Sequence, residues 1–351
     1  MKFEDIQGQE ALKEHFKSAI RLGKVSHAYI INGERGFGRK ALAEAFAQAL
    51  LCEKLNSDHD ENQISFPGIE AKKPKPEVIE PCEECVSCKK ARHHNHPDII
   101  YISHEKPNII SADEIRTELV DTVDIIPYES KRKIYIIEDG ELINETGQNI
   151  LLKTIEDPPD YITIILLTTN VDKLLPTVLS RCVCLNTVPV SKAEIRAHLM
   201  DNGVVDYQAD MAVSFAKGNP GRALSIANDV YFQERCKTVC NIIRDINHYH
   251  VREISNLAAR IEEDKENMGE YMELLMMLLR DAVVFKTTGD EGRLLFAREI
   301  RLIREMSKMS LSRLNSLINI VKDTDEKIQA AVTPDLAIEM MLTNMKEIYN
   351  T

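Results

Sequence analysis

The sequence predicts an α/β domain built on a parallel sheet, followed by a region that is helical throughout. Three observations predict it. Short β-rich runs alternate with helical patterns over the first half of the chain, strand candidates disappear after Pro189, and from about residue 231 onward glycine and proline are sparse. In that last part only Gly269, Gly289, Gly292 and Pro334 punctuate the pattern.

The strand candidates are 27–31, 98–102, 133–137, 163–168 and 183–185. The first runs into a glycine-rich turn, "NGERGFGRK", and the helix behind the turn carries Leu42, Ala45, Phe46, Ala49 and Leu50 at i, i+3, i+4, i+7 and i+8. One face of that helix is therefore apolar and should pack on the sheet. Residues 53–81 are polar, proline-bearing and without sustained period, and read as a surface insertion. Ser111 with Glu114, and Ser191 with Glu194, have the spacing of capping boxes and mark two helix starts. Short helices are expected over 191–230. An amphipathic stretch with Leu274, Leu275, Leu278 and Leu279 belongs to a terminal helical bundle.

A chain of 351 residues is too long for one core and predicts two or three domains. With 44 Lys and Arg against 56 Asp and Glu, the formal charge is -12, which argues against holding nucleic acid alone through an extended basic surface. Aromatic residues, 5% of the chain, are too few for base-stacking platforms. No apolar run is long enough to span a bilayer, and MKFEDIQGQE lacks the character of a signal peptide, so a cytoplasmic protein is expected. Its eight cysteines are then expected as thiols or metal ligands rather than disulfides. Cys182 with Cys184, and Cys236 with Cys240, are expected as buried small hydrophobes.

The glycine turn has the frame of a phosphate-binding loop. In such a loop the glycines turn backbone N–H groups toward phosphate, a lysine neutralises the terminal phosphates, and a following hydroxyl binds magnesium. Gly33, Gly36 and Gly38 keep the frame, but Arg39 stands at the lysine position and Lys40 at the hydroxyl position. Sliding the register by one residue rotates each side chain by about 100° and puts Ala41 at the hydroxyl position. No magnesium-binding hydroxyl is present in either register. The acids that would complete a nucleotide site are Glu138 and Asp139, at the end of "KIYIIED" and in the reverse of the usual order.

Cys82, Cys85 and Cys88 form C-x-x-C-x-x-C, three soft ligands close enough to converge on one ion, and structural zinc wants four. Cys52, at the end of the helix after the loop, and His93, His94 and His96 compete for the fourth place; nothing points to an iron–sulfur cluster.

In order along the chain, "SHAYIINGERGFGRKALA", "CEECVSC", "NHPDIIYI", "ISADEIRTEL", "NILLKTIEDPP" and "LLPTVLSRC" resemble the bacterial clamp-loader AAA+ ATPase family of DNA polymerase III. Because its loop is degenerate, the chain is most similar to the delta-prime branch of that family. The resemblance covers about residues 5–230.

It implies a RecA-like AAA+ domain over 1–189 with a zinc module at about 52–88, a small helical lid over 190–230, and a helical collar over 231–351. It implies a non-hydrolysing subunit of a hetero-pentameric ring with motor (gamma/tau) and delta subunits, acting on a sliding clamp and primer-template DNA. The alternative is an active P-loop motor subunit of the same assembly. Within "SRC" the resemblance makes Arg181 an arginine finger acting on a neighbour's nucleotide, and it favours Cys52 as the fourth zinc ligand. It leaves Gly33, Gly36, Gly38, Arg39, Lys40, Glu138 and Asp139 as a vestigial nucleotide site, with ATP or ADP binding doubtful. "KGNPGRAL" puts Gly221 where motor subunits carry a phosphate-sensing arginine, with Arg222 one place along. Thr168 or Thr169 matches the family's sensor threonine, although a threonine in a strand is usually only structural.

Overall fold

The apolar runs form one parallel five-stranded sheet: β1 (Ala28–Asn32), β2 (Ile99–Ile102), β3 (Lys133–Ile137), β4 (Ile162–Thr168) and β5 (Val183–Asn186). The computed structural model describes residues 1–56, 78–104, 109–264, 267–329 and 333–350. It falls into two compact units, Met1–Ala227 and Asn228–Thr351. Most of the expected insertion, 57–77, lies outside the described residues.

The strand order is β2-β3-β4-β1-β5, with every neighbouring pair parallel. Strands β3 and β4 are buried at every position, which is why they read as unbroken apolar runs. The two-residue period sorts their side chains between two cores. Tyr29, Ile31, Ile134, Ile136, Ile165 and Leu167 enter one, while Ala28, Ile30, Tyr135, Ile137, Ile164 and Leu166 enter the other.

The first core is covered by α1 (Glu10–Leu22) and α2 (Arg39–Leu51). Leu42, Ala45, Phe46, Ala49 and Leu50 are all buried there, as their spacing predicts. Phe16 stacks on Phe46 with centroids 4.3 Å apart, and Tyr29 meets both rings edge-on. Helix α3 (Glu53–Asn56) continues beyond Cys52, and α4 (Val86–Arg92) carries the last cysteine of the cluster.

Over the second core lie α5 (Ala112–Ile115), a π-helical turn (Arg116–Val120), α6 (Asp121–Val123) and α7 (Glu145–Glu156). Ser111 and Glu114 make the expected capping box ahead of α5. The Asp98 carboxylate accepts the N–H groups of Tyr128 (2.5 Å), Glu129 (2.9 Å) and Ser130 (2.8 Å), so "NHPD" pins the loop that leads into β3.

After α8 (Pro176–Leu179) and β5 come α9 (Lys192–Asp201), α10 (Asp206–Phe215) and α11 (Pro220–Asn228). Ser191 and Glu194 form the second capping box. The described part of the second unit is helical: α12 (Phe232–Asp245), α13 (Val251–Glu263), α14 (Met268–Thr288), α15 (Ile300–Met306), α16 (Leu311–Gln329) and α17 (Pro334–Asn350). Leu274, Leu275, Leu278 and Leu279 are buried in its core. No helix among the described residues is long and apolar enough to cross a membrane.

Candidate functional site

The glycine loop leaves the carboxyl end of β1, where Gly33 donates its N–H to Thr168 O of β4 at 3.0 Å. Gly38, with φ +85°, is the residue that turns the chain into α2. Between this turn and the carboxyl ends of β3 and β4 lies a cleft of about 420 Å³, lined by Gly36, Gly38, Arg39, Lys40, Glu138 and Asp139 among others. Six of the seven residues expected at a vestigial nucleotide site thus come together, with Gly33 at the root of the loop.

Charge fills much of this cleft. Lys40 Nζ lies 2.7 Å from Glu138 Oε1, and Arg35 Nη2 donates to Asp139 Oδ2 at 2.8 Å. The hydrogen bond to Glu138 raises the Lys40 pKa above its ordinary value. Arg39 is buried, 7% exposed, and its Nη1 has no hydrogen-bond partner among the described residues. Burial lowers its pKa, against the pull of Glu141, Asp139 and Glu138. Asp139 holds a left-handed backbone, φ +52°, a conformation that aspartate tolerates better than most residues. The hydroxyl of an intact loop is missing at Lys40 and Ala41, and both acids of the cleft are ion-paired, Glu138 with Lys40 and Asp139 with Arg35.

Arg181 does not line the cleft. It follows α8, with Nη1 donating to Thr177 O (3.1 Å) and Ser180 Oγ (3.3 Å), and Nη2 lying 2.9 Å from Glu156 Oε1. Its side chain is 40% exposed, and its partners fix the direction of the guanidinium.

Away from the cleft, the sulfur atoms of Cys52, Cys82, Cys85 and Cys88 lie within 4.8 Å of one another. Zinc–sulfur bonds of about 2.3 Å give a tetrahedron with edges of about 3.8 Å, so the four could hold one metal ion with small adjustments. Backbone N–H groups of Cys82, Cys85 and Cys88 point at the sulfurs of Cys52, Cys82 and Cys85, each at 3.4 Å. A hydrogen bond from Cys88 pulls the Cys52 thiol down to about 5, and that same bond raises Cys88.

The competing histidines lie elsewhere. His93 and His94 are exposed, while His96 is buried, with Nδ1 accepting from Asp98 N at 3.1 Å. Of the other cysteines, Cys240 is buried as expected, Cys182 and Cys236 are half-buried, and Cys184 is exposed. Cys184 departs from expectation because β5 is an edge strand whose alternate side chains face outward.

Comparison with known proteins bears on this geometry. The family model described as "DNA polymerase III, delta subunit" matches residues 8–191, and the one described as "DNA polymerase III, delta subunit, C terminal" matches 231–347. The chain belongs to the DNA polymerase III delta-subunit family. It is 25% identical over 370 residues to DNA polymerase III subunit tau of Bacillus subtilis (strain 168), covering 98% of this chain and 61% of that one. It is 29% identical over 197 residues to subunit tau of Escherichia coli (strain K12), covering 56% of this chain and 27% of that one. The chain therefore spans less than two thirds of the length of these curated relatives. A solved structure of a DNA polymerase III gamma subunit-related protein from Thermotoga maritima aligns with TM-score 0.45 and 18% identity, over 95% of this chain and 98% of that one.

For this member of the delta-subunit family, the structure adds residues that sequence patterns did not single out. Glu141 accepts Thr168 Oγ1 at 2.8 Å, Thr169 Oγ1 at 2.5 Å and Thr169 N at 3.1 Å. Burial pushes its carboxyl up, yet these hydrogen bonds hold it below the usual carboxylate value. Both candidate sensor threonines are thus engaged by an acid two or three places beyond the expected pair. The only signal was the third acid in "EDGE". Asn219 is the other addition: its Nδ2 donates to Arg35 O at 2.7 Å, which sets the start of α11 on the glycine loop.

Proposed function

We propose that this chain is a non-hydrolysing, delta-prime-like subunit of the DNA polymerase III clamp loader. It assembles with gamma/tau motor and delta subunits in a hetero-pentameric ring and helps place a sliding clamp on primed DNA. The Lys40–Glu138 pair carries this reading, because an ammonium stands on the carboxylate that an active loop would give to magnesium. Hydrolysis at this loop then lacks both its hydroxyl and its metal-binding acid.

The catalytic contribution of the chain is Arg181, delivered in trans. A guanidinium brought into a dry interface neutralises charge developing on the transferred phosphoryl group, an effect of about 10³ to 10⁵ in rate for arginine fingers generally. Thr177 and Ser180 hold one side of the guanidinium, and Glu156 is its partner until a neighbouring phosphate competes. Cys52, Cys82, Cys85 and Cys88 would hold one structural zinc, whose four positions they fill, so that it ties the end of α2 to α4 and does no chemistry.

The test is reconstitution. Arg181→Ala should depress ATP turnover and clamp loading by the assembled complex at least about 10²-fold at the site it faces. The isolated chain should show no magnesium-dependent turnover. Turnover by the isolated chain that Lys40→Ala abolishes would make it a motor subunit instead.

A further inference from the structure

Residues 124–132, which join α6 to β3, include no buried side chain. A segment without apolar packing of its own is ordered only by what holds its ends, and here the holds are polar. At the first end Lys133 Nζ donates to Thr122 O (2.6 Å) and Ile125 O (3.3 Å), and Tyr161 OH donates to Val123 O at 3.1 Å. The second is the Asp98 carboxylate on the N–H groups of Tyr128, Glu129 and Ser130. We propose that the cysteine module braces this loop through the second anchor, with His96 as the joint, so that the loop opens less often when Cys52, Cys82, Cys85 and Cys88 hold zinc. The proposal rests on the reading of those four cysteines as a zinc site.

The joint is continuous and buried. Ser87 lies between Cys85 and Cys88, with its Oγ 3.3 Å from His96 Nε2, and Ser130 Oγ of the loop lies 3.5 Å from the same nitrogen. Because His96 Nδ1 accepts from Asp98 N at 3.1 Å, the neutral ring carries its proton on Nε2, toward the two hydroxyls. His96, Ser87 and Asp98 are all more than nine-tenths buried, where leaving such a group unpaired is costly. A second bridge, Lys90 Nζ to Glu129 Oε1 at 2.5 Å, is partly exposed on both sides and adds little. On the module side α4 has seven residues, too few for a helix that stands alone. Glu53 Oε1 accepts from Ser87 N at 3.1 Å, and Gln48 Nε2 donates to Cys88 O at 3.3 Å. Cys85 caps this helix and Cys88 lies within it, so filling the cysteine site fixes Ser87 from both sides and, through His96, the anchor of the loop.

Amide hydrogen exchange of the full chain, stripped with EDTA and then reloaded with zinc chloride, tests the link, with native mass spectrometry counting the bound zinc. Zinc should slow exchange at Tyr128, Glu129 and Ser130 at least about fivefold and leave α7 unchanged. His96→Asn keeps an acceptor for Asp98 N but does not reach Ser87, and Ser87→Ala removes the hydroxyl from the other side of the joint. In each variant the effect of zinc on the loop should fall below about twofold. Coupling is reciprocal, so both variants should also bind zinc at least about twofold more weakly, read by competition with a chromogenic chelator.

Circular dichroism melts identify a variant that fails to fold, and the other then decides. Zinc bound with no change in loop exchange, an equal change over α7, or the full loop effect persisting in the folded variants would overturn the brace. A chain that takes up no zinc would overturn the four-cysteine assignment and the brace together, whereas zinc bound without a loop effect leaves that assignment standing. The exchange measurement needs no neighbouring subunit, so its failure leaves the trans role of Arg181 untouched.

Discussion

Gly221 donates its backbone N–H to Gly36 O at 3.0 Å, and a Cβ built on Gly221 would lie 2.7 Å from Gly36 Cα. Gly36 itself has φ +94°, and a Cβ there would lie 2.3 Å from Asn219 Oδ1. The start of α11 and the phosphate loop therefore meet backbone to backbone, at the place where the family resemblance puts a sensing arginine in motor subunits.

Restoring a side chain at this contact should be costly. Gly221→Ala should destabilise the chain by about 1–3 kcal/mol, because the atoms it meets are backbone and cannot rotate away. Gly221→Arg should release α11 from the loop, read as faster amide exchange over residues 34–38. Urea denaturation and hydrogen exchange measure both effects, and an unchanged exchange pattern in Gly221→Arg would show that the contact is not maintained in solution.

Metal removal should act on the cysteine module rather than on the cleft. Native mass spectrometry should find one zinc per chain, lost in Cys85→Ser. Because the four thiolates are not brought together in the unfolded chain, the free energy of metal binding adds to that of folding, and the loss should cost at least about 2 kcal/mol of stability. Retention of zinc by Cys85→Ser would exclude the four-cysteine assignment.

His96 predicts a pH dependence of known sign. Burial lowers its pKa below the ordinary histidine value, against Asp98, Glu129 and Glu53, which raise it; Lys90 acts in the same direction as burial. The folded state therefore prefers neutral imidazole, consistent with Nδ1 accepting from Asp98 N. Below the unfolded value of about 6.5, the unfolded chain binds this proton more readily, so the His96 contribution to stability falls as pH drops through that window toward the folded pKa. An NMR titration of the imidazole should give a midpoint below 6.5; a midpoint above it would contradict the buried neutral state.

Much of the first unit was legible along the chain. All five strand candidates fell on observed strands, since β3 and β4 need apolar residues on both faces and the loss of alternation is itself the signal. Ser111–Glu114 and Ser191–Glu194 were equally plain, because a capping box spans only four residues. Cys82, Cys85 and Cys88 announced a cluster by spacing and the family resemblance favoured Cys52 over three histidines, while the juxtaposition of the four sulfurs is a contact between the end of α2 and the segment around α4. The outward face of Cys184 depended on β5 lying at the sheet edge, which a strand's own residues do not reveal.

The missing hydroxyl at Lys40 and Ala41 was a property of residue type and needed no coordinates. What Lys40 does instead depended on β3 being two strands away from β1, so that the sheet order carries Glu138 to the mouth of the loop. The grip of Glu141 on Thr168 and Thr169, and the seat of Gly221 on Gly36, are likewise contacts between distant segments. Helix and strand periodicity act over a few residues and are written locally, whereas a charge finds its counter-charge only once the sheet has closed.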